Sequence, residues 1–135
     1  SQVDIDSLVR SKAAMYTILE TITQHVGITL EQLQTFFVAG TFGSFIRPAS
    51  AVTIGMLPDL PLSHYRTLGN SSLGGTTMVL QSAACVDEID HIRDTITYLE
   101  LNVNQDFMNR FSAAKFIPHT DRARFPSVGP SSPAG

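Results

Sequence analysis

The sequence predicts an α/β fold, and three observations carry that prediction. Segments with helical spacing alternate with short runs rich in aromatic and β-branched residues. Two of those runs, Thr35–Val38 and Tyr65–Leu68, end at glycine turns, at Gly40 and Gly69. Helix-forming sequence follows each turn, as it does where parallel strands are joined by crossover helices. The full order is helix, strand, helix, strand, helix, helix, strand, helix. Three or four strands make a thin sheet, so the domain is expected to be part of something larger or to pair with another subunit.

The first helix is expected from Asp6, as N-cap, to about Val26. Val9, Ala13, Tyr16, Leu19, Ile22 and Val26 hold helical spacing, and Gly27 is a natural stop. A short turn or helix spans Leu30 to Leu33. Pro48 suits the first turn of a helix over Ala49–Ile54. Pro58 and Pro61, three apart, forbid a helix between Met56 and Pro61. Ser71 or Ser72 caps a helix from Leu73 to Ala84, with Gly74 and Gly75 near its start. Val86–Asp94 is polar and helical, and its carboxylates read as a solvated face. Thr95–Val103 alternates like a strand. Asp106–Ala114 returns to helix. Residues 119–135 read as an irregular C-terminal tail, Pro/Ser/Gly-rich from Pro126.

At 135 residues the chain is one domain long, with 43% apolar and 16% charged residues. The net charge of −3, without a basic block, argues against nucleic-acid binding. No apolar run reaches the ~20 residues of a membrane span, and the start is polar and acidic, unlike a signal peptide. The missing initiator Met fits a fragment. Cys85 stands alone, which excludes an internal disulfide and any cluster or zinc site built from cysteines of this chain. It is expected to be a buried apolar residue in a reducing cytoplasm. His25, His64, His91 and His119 show no metal-ligand spacing and read as surface residues, so no metal site is expected.

Chemistry is sought first in Val38-Ala39-Gly40-Thr41-Phe42-Gly43. Glycine lets a strand turn sharply and lets a ligand approach the main chain. Such a turn is equally a tight bend or a cradle for a phosphate or ribose. Gly69-Asn70-Ser71-Ser72-Leu73-Gly74-Gly75 repeats the device. Two such turns in one α/β layer favour a shared crevice at the strand ends. Lys12, beside the apolar face of the first helix, is a weaker candidate for ligand contact.

Several of these segments resemble the reductive activators of corrinoid proteins. They are Asp6 to Tyr16, Val38 to Ile46, Ala51 to Pro58, Leu68 to Gly75, Tyr98 to Leu101 and Phe107 to Phe111. Single pieces are unspecific, but their order and spacing match over roughly residues 4–118. The resemblance implies a C-terminal ATPase region of the actin-like superfamily, which includes acetate and sugar kinases. Residues 1–118 would be its second, ribonuclease-H-like lobe, a small mixed sheet flanked by helices. Such activators use ATP, with Mg2+, to drive Co(II) to Co(I) in a corrinoid protein of a methyltransferase system. By position, Ala39, Gly40, Thr41, Phe42 and Gly43 would contact the adenosine side of ATP or ADP. Lys12 would lend a charge, and Gly69 and Asn70 would form a second turn.

Two departures limit the transfer. The family often has a second glycine where this chain has Thr41, whose Cβ restricts the approach of a phosphate. The superfamily's Asp-x-Gly phosphate loops and catalytic carboxylate are absent from this sequence, as are cluster cysteines. Catalytic residues and the iron–sulfur cluster would therefore lie upstream, and no catalytic residue is assigned here. The partners implied are the upstream lobe, a corrinoid protein and, through the exposed sheet edge, a second copy. A 2-hydroxyacyl-CoA dehydratase activator, a small-molecule kinase lobe or a non-catalytic interaction module are the alternatives.

Overall fold

The computed structural model describes residues 1–40, 47–69, 82, 84–96, 98–101 and 103–130. Helix α1 spans Gln2–His25, β1 Phe36–Ala39, α2 Pro48–Ile54, β2 Tyr65–Gly69, α3 Ala84–Thr95 and α4 Gln105–Ala114. Short 3-10 turns cover Leu30–Gln32, Leu62–His64 and Arg122–Arg124.

Helix α1 starts earlier than its sequence implied. Ser1, not Asp6, is the N-cap, and it forms a reciprocal capping box with Asp4. Two orphan N–H groups are satisfied this way, so the helix gains a further turn. Gly27 ends it with φ +79°. The buried face is Lys12, Ala13, Tyr16, Thr17, Glu20 and Thr23. It is more polar than the expected stripe, and Ile22 and Val26 lie exposed instead.

Pro48 opens α2 in its first turn, and Gly55 closes it in the left-handed region at φ +82°. The Met56–Pro61 loop is irregular, as two prolines require, but it is not peripheral. Met56, Leu57 and Leu60 are core residues beside Ala51 and Val52. Tyr65 joins them, its hydroxyl donating to the Pro58 carbonyl, while its ring meets Phe36 at 5.4 Å.

β1 and β2 pair in parallel, with Phe36 beside Tyr65 and Phe37 beside Arg66. Among the described residues the sheet has two strands and is wholly parallel, where a mixed sheet of three or four was expected. The expected strand at Thr95–Val103 does not form across its described residues. Ile96 and Tyr98 are 68% and 85% exposed, so among the described residues alternation there has no neighbouring strand or core to fix it. The expected helix at Leu73–Ala84 falls almost wholly outside the described residues.

The segment after 118 is irregular, as expected, yet it is not a loose tail. Residues 116–128 form a strap laid back over α1 and α2. Phe125 is 1% exposed and meets the Tyr16 ring at 5.5 Å. Ser127 donates its N–H to Asp59 at 2.8 Å. The Thr120 hydroxyl and N–H both donate to the Ala113 carbonyl. Burying an aromatic ring of this size contributes about 2–3 kcal/mol, which is why a chain of loop-like composition stays docked. His119, expected at the surface, is buried against Tyr16 and Phe125. Cys85 is only half-buried.

Candidate functional site

The site is built where the two strands end. Ala39 pairs with Gly69, and the register shifts between Val38 and Ala39, so Leu68 is left unmatched. The Gly40 N–H donates to the Gly69 carbonyl at 2.5 Å. Gly40 has φ +90° and Gly69 φ +63°. Each strand therefore ends at a left-handed glycine, and the two glycines are tied side by side at one end of the sheet. A side chain at either position would strain the backbone. Among the described residues, a Cβ added at Gly40 would meet nothing within 4 Å. The left-handed backbone there is what calls for glycine.

This end is the carboxyl end of two parallel strands, the place where α/β sheets bind ligands. The structure thus brings Ala39, Gly40 and Gly69 together. Thr41, Phe42, Gly43 and Asn70 lie outside the described residues.

Lys12 occupies a different setting. It is fully buried, and its ammonium donates to the Phe116 carbonyl and, at 2.9 Å, to the Pro118 carbonyl. Burial lowers its pKa to about 8, while the two carbonyls favour the charged form. Its donors hold the strap. The spacing of Lys12 beside Val9 and Ala13 pointed to an edge position, because acceptors more than 100 residues away leave no local trace.

A second polar cluster was not foreseen in the sequence. Arg124 donates to Glu20 at 2.7 Å, and Tyr16, Thr23, Gln24 and Thr29 line a concavity of about 260 Å³ beside them. Burial opposes the Arg124 charge, but its bonds to Glu20 and Tyr16 prevail and raise its pKa. Among the described residues no group of His, Cys, Asp and Glu is placed to hold a metal ion.

Residues 1–129 match the family model described as the C-terminal domain of RACo, the ASKHA domain. The chain belongs to this family. It is 28% identical over 111 residues to "Corrinoid activation enzyme RamQ" of Eubacterium limosum, covering 82% of this chain and 19% of that protein. It is 41% identical to a solved "Reductive activator for corrinoid,iron-sulfur protein", with a TM-score of 0.88. That match covers 95% of this chain and 20% of the other. The chain therefore spans about one fifth of the length of these relatives. The α/β fold is that of an ASKHA, or actin-like, domain of corrinoid activators.

Proposed function

We propose that this chain is the adenosine-side lobe of an ATP-dependent reductive activator that returns a corrinoid protein from Co(II) to Co(I). The observation that carries the proposal is the pair of left-handed glycines, Gly40 and Gly69, tied together at the carboxyl end of a parallel strand pair. Among the described residues nothing lies within 4 Å of a Cβ at Gly40, which supports a nucleotide laid against the main chain there. Ala39, Gly40 and Gly69, with Thr41, Phe42, Gly43 and Asn70 next to them in sequence, would hold the ribose and α-phosphate side. Lys12 acts one step away, by fixing the strap across α1.

Mg2+ and the reacting phosphate belong to residues of the other lobe, since Asp-x-Gly loops are absent here. An iron–sulfur cluster would likewise sit elsewhere in the activator, because Cys85 is the single cysteine. Nucleotide would act by binding the closed arrangement of the lobes more tightly than the open one. Closure would present the activator to its corrinoid partner. The setting is the cytoplasm, where ATP and a reducing environment coincide; no described helix is long and apolar enough to cross a membrane.

Calorimetry of the full-length activator with ATP and ADP tests this reading. Binding is expected, and Gly40→Val is expected to weaken it by roughly tenfold or more, about 1.4 kcal/mol. Absence of binding at millimolar nucleotide, in a protein that circular dichroism shows folded, would overturn it.

A further inference from the structure

Helix α3, Ala84–Thr95, contains no buried residue. Val86, Ile89 and Ile92 are 43%, 50% and 56% exposed, and Ile96 continues their line just past the helix end. This three-to-four-residue spacing gathers them on one face. Asp87, Asp90 and Asp94 lie away from it, while Arg93, seven residues after Val86, borders the ridge and reaches Asp90 at 3.1 Å and Asp94 at 3.3 Å. An isolated helix of this length is marginal in water, and most helices in proteins are held by packing of their apolar face. The exposed ridge amounts to a few hundred Å² of apolar surface, the scale that marks an interaction site.

We propose that this ridge is a permanent seat for the remaining part of the activator, the lobe that its relatives carry on the same polypeptide. Two observations select that occupant. The chain corresponds to 19–20% of the relatives, so four fifths of the activator lies outside it. The ridge's exposed side chains are aliphatic, and the one charge at its border, Arg93, is already neutralised by Asp90 and Asp94, a character closer to an obligate interface than to a transient, more polar one. The proposal rests on the reading of this chain as one lobe, but it needs neither nucleotide nor the corrinoid protein.

Hydrogen exchange tests it, in the absence of nucleotide and partner. Amides of residues 86–95 are expected to exchange at least tenfold more slowly in the full-length activator than in this chain alone. Ile89→Lys is expected to abolish that protection while leaving the exchange of this chain unchanged; Asp87→Lys, on the charged face, should leave both unchanged. Equal exchange in the two proteins would overturn the proposal. Protection that appears only on adding the corrinoid protein would also overturn it and assign the ridge to that partner. Protection in this chain that grows with its concentration would assign it to a second copy. None of these results bears on nucleotide binding, which calorimetry reads separately.

Discussion

Replacing Gly55 by alanine should release the strap that closes the fold. Gly55 sits at φ +82°, and a Cβ there would lie 1.9 Å from the Pro118 carbonyl oxygen. That oxygen must retreat by about 1.5 Å or more to restore an ordinary contact. It is also the atom that accepts the Lys12 ammonium at 2.9 Å. Two costs therefore combine. The left-handed backbone costs alanine about 1–2 kcal/mol. Displacing the carbonyl sacrifices a charged hydrogen bond worth about 1.5–3 kcal/mol. A loss of about 3–5 kcal/mol follows, a large part of the ~5–15 kcal/mol typical of a domain. Gly27 provides the control. Its φ is +79°, but an added Cβ meets nothing within 4 Å, so Gly27→Ala should show the backbone cost alone. The assay is urea unfolding of both variants, read by tyrosine fluorescence and circular dichroism. Equal losses at the two positions would refute the claim that Gly55 is reserved for the strap.

Two further predictions concern the same strap. His119 accepts the Asp121 N–H on Nδ1 at 2.9 Å, and burial, aided by Arg124, lowers its pKa. The folded state thus favours the neutral ring, so stability should be full above the unfolded pKa near 6.5 and fall as pH drops through the lowered folded value, by at most about 1.4 kcal/mol per pH unit. Unfolding at pH 7.5 and 5.5 should show that fall, and His119→Gln should lessen it. Lys12→Met should cost roughly 2–3 kcal/mol by leaving two carbonyls without their donor. Because the folded pKa of Lys12 is lowered to about 8, wild-type stability should rise between pH 8 and the unfolded value of 10.5. Unfolding measured across that window should show the variant without this rise.

What could be read from the sequence was local. Gly27, Pro48 and the Pro58–Pro61 pair were legible because glycine's freedom at φ and proline's restriction of it act on the residue that carries them. The run before Gly40 and the run before Gly69 were legible as strands. The hydrogen bond between Gly40 and Gly69 adds what spacing alone left open: these two glycines are direct neighbours. Distant partners hid the rest. Lys12 is held by residues 104 and 106 positions later, and Glu20 by Arg124, again 104 positions away. A lysine and a glutamate on a helix give no local sign that such acceptors and donors will arrive. His119 followed the same rule, buried by a Tyr16 ring from the opposite end of the chain. The alternation over Thr95–Val103 misled for the converse reason: period two is necessary for a half-buried strand, but pairing makes one.

The most direct test of the account is where adenosine lands. The full-length activator should be irradiated with an azidoadenosine nucleotide, and the labelled peptides sequenced. Label within residues 38–43 or 68–72, suppressed by excess ADP, is the predicted result. Label confined to peptides outside this chain, with equal occupancy in Gly40→Val, would contradict the assignment of the paired glycine turns to the nucleotide.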